Sequence, residues 1–167
     1  MTPELQPESR SWGRLGLLYQ QHAAEAGRLA YLLTGDVELA RDLVQEAFLK
    51  MLGRFHDLRN PDAFHWYLKK TIVNLVRSHF RRKQVERAYL ERTHGRPPAE
   101  PDADTRQDLW TALLGLPAQQ RAALVLRFYE DFTETRTAEA LNCPVGTVKS
   151  LVSRGLARLR KELSRGG

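Results

Sequence analysis

The residues of this 167-residue chain that could do chemistry fall into a few stretches, and none has the spacing of an active site. Five histidines, at 22, 56, 65, 79 and 94, include no i, i+4 pair, and none stands at metal-ligand spacing from the single cysteine, Cys143. There is no GxSxG and no Gly-rich phosphate loop. Cys143 lies in a turn beside Pro144, where a small side chain serves packing. The expectation is therefore a protein without catalytic residues, without a metal site and without a cofactor. What remains is the chemistry of recognition, in which charged and aromatic side chains meet phosphates, bases or another protein.

Three stretches carry that chemistry. The first is LNCPVGTVKSLVSRGLARLRKEL, 141 to 163. A short helix, a tight turn and a second helix make a helix-turn-helix, whose second helix can enter a major groove. Thr147 and Ser150 can donate to phosphates near its N-terminus, where free amides also favour anions. Lys149 and Ser153 share a side, whereas Val148, Val152, Leu156 and Leu159 are expected to face the core. From 144 onward six basic residues stand against one acidic, a net of +5. The alternative is a solvated basic helix closing a bundle.

The second stretch, KKTIVNLVRSHFRRKQVERAYLER at 69 to 92, has eight basic residues against two acidic, a net of +6. Phe64, Trp66, Tyr67 and Phe80 are interleaved with this charge. Phe64 and Phe80 read as core. Trp66 and Tyr67 cannot both point inward, because helical neighbours lie ~100° apart. Basic side chains hold phosphates, and an exposed aromatic can stack on an unpaired base for roughly 1–3 kcal/mol. The third stretch, DVELARDLVQEAFLKML at 36 to 52, is acidic, with Asp36, Glu38, Asp42 and Glu46 against Arg41 before residue 47. Asp42, Gln45 and Glu46 form a polar stripe. It is either an ordinary solvated face or a docking face for a basic protein surface, since acidic groups repel DNA.

The elements that must position these residues are helical. Leu15, Leu18, Tyr19, His22, Leu29, Leu32 and Leu33 recur at three- and four-residue steps, predicting one helix to about Leu33. After a break at Thr34-Gly35-Asp36, Leu39, Leu43, Ala47, Leu49 and Leu52 mark a second, ending between Gly53 and His56. Asn60 caps a third, with Pro61 at its first position and Phe64, Leu68, Ile72, Leu75, Val76 and Phe80 on its apolar face. RTHGRPPAEPDAD, 92 to 104, has too little apolar surface to pack and reads as a linker. Beyond it come a short helix through Leu116, a restart at Pro117, a helix from Thr133 to Leu141, and the basic helix. The expected fold is all-α, with helical modules at 11 to 91 and 105 to 165.

Composition fits this reading. A 42% apolar content supports packed cores, and the net charge of +6 suggests an anionic partner without naming one. No run reaches the ~18 apolar residues of a membrane span. The polar start MTPELQPESR has no apolar signal-peptide segment, and one cysteine allows no intramolecular disulfide, so a cytoplasmic setting is expected.

In this order, LYQQH…GRLAYLLTGD, DLVQEAFLKML, NPDAFHWYLKKTIVNLVRSHFRR and LPAQQRAALVLRFYEDFT…LNCPVGTVKSLVSRGLARLR resemble the extracytoplasmic-function (group IV) RNA polymerase sigma factors. The resemblance runs from about Leu15 to Leu163. It implies a non-enzymatic subunit with sigma domains 2 and 4, which binds core polymerase and promoter DNA and initiates transcription, including promoter melting. Asp42, Gln45 and Glu46 match contacts to the beta-prime clamp helices, and domain 4 would meet the beta flap. Trp66, Tyr67, Lys69, Lys70, Asn74, Arg77, Arg81 and Arg82 match the surface that reads and melts the minus-ten element, Tyr67 replacing a usual Trp. Thr147, Lys149, Ser150, Ser153, Arg154 and Arg158 fall on the surface that reads the minus-thirty-five element. The resemblance also implies the linker near the polymerase active-site and RNA-exit channels, an anti-sigma partner, and a cytoplasmic location at the nucleoid.

Some residues depart from the family pattern. Thr137 stands where an Ile is usually buried, Asn142 where Gly is common, Ser78 where many members carry Asp, and Leu151 where Arg is frequent. Leu151 would then touch a thymine methyl or a partner protein, or the promoter is read with one fewer arginine. Two other readings stay open: a stand-alone helix-turn-helix regulator, and a sigma-like protein that binds polymerase without initiating.

Overall fold

A computed structural model of the chain describes residues 7–54, 61–93 and 108–166, with side chains described over 13–54, 63–89 and 108–166. The described residues contain helices and no strand: α1 Pro7–Thr34, α2 Val37–Leu52, α3 Pro61–Thr93, α4 Asp108–Leu114, α5 Ala118–Leu124, α6 Glu134–Leu141 and α7 Val145–Arg165. They fall into two compact units, Met1–Leu75 and Val76–Gly167, so the division lies within α3. Helix α3 continues to Thr93, two residues into the expected linker; the rest of that linker, the Asn60 cap, His56 and His94 lie outside the described residues.

In the first unit, α1 stops where Gly35 takes φ 71° and its amide donates to the Tyr31 carbonyl at 2.7 Å. That left-handed position suits a glycine. Asp36 then caps α2, its carboxylate accepting from the Leu39 amide at 3.1 Å, as expected. Ala40, Leu43, Val44, Ala47, Phe48 and Met51 are the buried face of α2. Leu49, expected in the core, is 62% exposed, because it lies on the side opposite Ala47 and Met51. Phe48 is the hub of the unit's aromatic packing. Its ring centroid lies 4.8 Å from Tyr19 of α1 and 6.1 Å from Phe64 of α3. Leu29, Leu33, Leu68, Ile72 and Val73 complete the core. Phe80, further along α3, is half-buried rather than a core residue.

In the second unit, α5 runs into a π-helical turn over Val125–Tyr129, closed by the Glu130 amide donating to the Val125 carbonyl at 3.0 Å. The widened turn keeps Val125 and Leu126 buried while Phe128 and Tyr129 are exposed. Arg121, almost fully buried, donates to the carbonyls of Leu114 (2.9 Å) and Leu116 (3.3 Å) and so satisfies the end of α4. Thr133 caps α6 by accepting from the Arg136 amide at 3.1 Å. Thr137 is wholly buried, yet its hydroxyl donates to the Thr133 carbonyl at 2.9 Å, so the departure from an apolar residue leaves no orphaned group. Asn142 adopts φ 51°, the left-handed conformation that lets it stand in for glycine.

The buried stripe of α7 differs from expectation. Val148, Leu151 and Gly155 are buried, whereas Val152, Leu156 and Leu159 are only half-buried. The cause is Gly155, which lets α7 approach α5: a Cβ there would lie 3.0 Å from Leu124 Cδ1 and 3.2 Å from Leu124 Cγ. Leu151, one turn earlier, shares that close face and is 6% exposed. It is a packing residue, not a surface one, so neither a thymine methyl nor a partner protein is its contact. Gly155→Val should force α5 and α7 apart and destabilise the unit by ~2–3 kcal/mol. A lowered denaturation midpoint checks this, and unchanged stability would show that the close approach is not required.

Candidate polymerase and nucleic-acid interfaces

The acidic surface follows from the packing of α2. With its apolar stripe turned inward, Asp42, Gln45 and Glu46 are left exposed, and Leu49 continues the same outward surface. The ion pairs Glu38–Arg41 (3.8 Å) and Glu46–Lys50 (4.0 Å) join exposed side chains, so they contribute little stability and leave the carboxylates accessible.

Along α3, Tyr67, Lys70, Asn74, Arg77 and Arg81 recur at three- and four-residue steps and therefore share one face. Tyr67, Asn74, Arg81 and Arg82 are exposed, and Trp66, Lys70 and Arg77 are half-buried. The exposed member of the Trp66–Tyr67 pair is the tyrosine, 40% exposed. Burial, and then the neighbouring charge of Arg81, pull the Arg77 guanidinium below its ordinary pKa.

Lys69 departs from this face. It is 6% exposed and its ammonium lies 3.1 Å from Glu25 Oε1 of α1, forming an internal link between α1 and α3. The expectation that it holds promoter phosphate is corrected on that ground: reaching a phosphate would require breaking this pair.

The Glu25–Lys69 pair belongs to a polar cluster. His22 and Glu25 are three apart on α1, His65 and Lys69 four apart on α3, and His65 Nε2 lies 3.7 Å from Glu25 Oε1. The rings of His22 and His65 are 5.3 Å apart. Burial, then the charge of His65, lower the His22 pKa. Burial alone would raise that of Glu25, but the hydrogen bond and charge of Lys69, aided by the imidazoles, leave it lowered. Spacing within one helix could not reveal this group: His22, Glu25 and His65 offer ligand atoms all within 4.8 Å of one another. The signal available in the sequence was His22 and Glu25 at i, i+3 with His65 and Lys69 at i, i+4.

On α7, Lys149, Ser150, Ser153, Arg154 and Arg158 are exposed and Thr147 is half-buried. Ser150 donates its hydroxyl to the Gly146 carbonyl at 3.2 Å, and Arg154 Nε donates to the Ser150 carbonyl at 3.3 Å. Lys149 pairs loosely with Glu134 of α6 at 3.8 Å, both exposed. Cys143 sits half-buried in the turn, and burial raises its thiol pKa, as suits a packing residue.

Residues 18–86 match the family model Sigma-70 region 2, and residues 106–159 match Sigma-70, region 4. The RNA polymerase sigma-E factor of Streptomyces avermitilis is 35% identical over 141 residues, covering 81% of this chain and 77% of that protein. The chain belongs to the extracytoplasmic-function RNA polymerase sigma factors. The ECF RNA polymerase sigma factor SigE of Mycolicibacterium smegmatis is 33% identical over 166 residues; the match covers 93% of this sigma factor and 62% of that relative. Among solved structures, the sigma factor RpoE of Bartonella quintana, crystallised with the anti-sigma factor NepR, aligns with a TM-score of 0.69 and 25% identity over 89% of this chain and 96% of that one. As a sigma factor the protein binds RNA polymerase and promoter DNA to direct transcription initiation, and no described helix is long and apolar enough to cross a membrane.

Lys69→Met, which keeps the stem and removes the charge, should destabilise this sigma factor by ~1 kcal/mol through loss of the charge-assisted hydrogen bond to Glu25, which keeps His65 and solvent as partners. The salt dependence of its DNA binding should not change. A shallower salt slope with unaltered stability would return Lys69 to the phosphate contacts.

Proposed function

We propose that this group IV sigma factor docks on the beta-prime clamp helices of core polymerase through Asp42, Gln45 and Glu46. Domain 2 spans 11 to 91 in this reading, 92 to 104 is the tether, and domain 4 spans 105 to 165 and meets the beta flap. The observation that carries the docking assignment is the exposed acidic stripe of α2 in a protein of net charge +6. Such a stripe repels DNA and suits a basic protein surface.

The α3 face of Trp66, Tyr67, Lys70, Asn74, Arg77, Arg81 and Arg82 then captures the opened minus-ten strand. The arginines hold phosphates and Tyr67 stacks on an unpaired base, offsetting an unstacking cost of a few kcal/mol. Thr147, Lys149, Ser150, Ser153, Arg154 and Arg158 read the minus-thirty-five duplex. Polymerase fixes the separation of the two modules, so that each raises the effective concentration of the other at the promoter. The reaction is recruitment and strand separation, without covalent chemistry, in the cytoplasm at the nucleoid. An anti-sigma factor is the proposed restraining partner; the NepR-bound relative supports that class of regulator.

Asp42→Arg combined with Glu46→Lys should lower affinity for core polymerase by at least ~100-fold, with the helical circular dichroism retained. Co-sedimentation with core enzyme provides the measurement. Undiminished binding by the folded variant would remove α2 from the interface.

A further inference from the structure

The cluster on α1 and α3 is not part of the proposed promoter or polymerase surfaces, and it contains donor groups of the kinds that bind transition metals. His22, Glu25 and His65 bring two imidazoles and one carboxylate within 4.8 Å of one another, all half-buried. The His65 Nε2–Glu25 Oε1 distance is 3.7 Å, close to the ~3.3 Å between ligands of a tetrahedral ion with bonds near 2.0–2.2 Å. Phe64, 5.5 Å from the His22 ring, is 1% exposed and supplies an apolar wall that restricts water on one side.

From this geometry we propose that His22, Glu25 and His65 form a divalent transition-metal site, of Zn(II) type, that clasps α1 to α3. Two nitrogens and one oxygen suit Zn(II), Co(II) or Ni(II) rather than Mg(II) or Ca(II), which prefer oxygen alone. Three protein ligands leave a fourth position for water or an incoming donor. Lys69 is the built-in competitor: its ammonium holds Glu25 at 3.1 Å, the position a bound cation must take over. Metal entry therefore detaches Lys69 from Glu25 on the helix that bears the Tyr67–Asn74–Arg81 face.

The test is Co(II) titration of the untagged full chain carrying Cys143→Ser, followed by competition with Zn(II). The expected result is one equivalent bound with the visible absorption of a four- or five-coordinate site and a Zn(II) Kd below about 10 µM. His22→Gln and His65→Gln should each weaken binding at least tenfold, His79→Gln should not, and Lys69→Met should tighten it. Circular dichroism of each variant separates ligand loss from unfolding. Glu25→Gln, which preserves volume, serves as the ligand variant if a histidine variant unfolds. Weaker Zn(II) binding than this, binding indifferent to His22, Glu25 and His65, or no gain from Lys69→Met would overturn the proposal.

Discussion

A helix of this size buries one stripe, and whatever it offers a partner must lie on the surface left over. That constraint organises the whole sigma factor. In α2 the stripe Ala40–Leu43–Val44–Ala47–Phe48–Met51 is fixed by the packing of Phe48 edge-on against Tyr19 and tilted against Phe64. The carboxylates of Asp42 and Glu46 are then turned outward together. In α3 the burial of Phe64, Leu68, Ile72 and Val73 leaves Tyr67, Lys70 and Asn74 on the opposite face of the same unit. Packing at the centre of the first unit thus sets both the acidic surface of α2 and the Tyr67–Lys70–Asn74 surface of α3.

The second unit obeys the same constraint with less room. Gly155 removes a side chain so that α7 can sit against Leu124, and the close approach buries Leu151 beside it. Lys149, Ser150, Ser153, Arg154 and Arg158, the proposed DNA contacts, are what that arrangement leaves exposed. Asn142 sets the turn by accepting a left-handed backbone, and Thr133 with Thr137 orders the start of α6 through one carbonyl and one hydroxyl. These local devices position α7 against the rest of its unit.

Much of this was legible in the chain. Apolar recurrence at three and four residues located the helices, and Asp36 and Asn142 marked a start and an end through side-chain chemistry, whereas the Thr133 cap emerged only in the structure. The charge contrast between residues 36–46 and 69–92 was visible in the sequence, and it underlies the proposed division into a protein-facing and a nucleic-acid surface. What periodicity could not resolve was the phase of each stripe. In α7 a one-residue shift moved burial from Val152 to Leu151, because a glycine counts for nothing in an apolar pattern yet decides the closest approach. Leu49 was misassigned by the same ambiguity. For Lys69 and the His22–Glu25–His65 group the sequence offers only the two local pairs, because the halves lie some forty residues apart, Glu25 and Lys69 being 44 apart. Only the packing of α1 on α3 brings them together.

The central claim is that the exposed face of α3 holds an opened promoter strand once core polymerase has been engaged. Permanganate reactivity of thymines around the minus-ten element, on a promoter bound by core polymerase with this sigma factor, tests it most directly. The account predicts reactive thymines that depend on the sigma factor and fade when Tyr67 and Asn74 are both changed to alanine, with polymerase binding retained. Thymines that stay unreactive in a fully bound complex, or that open equally well with the altered face, would contradict it.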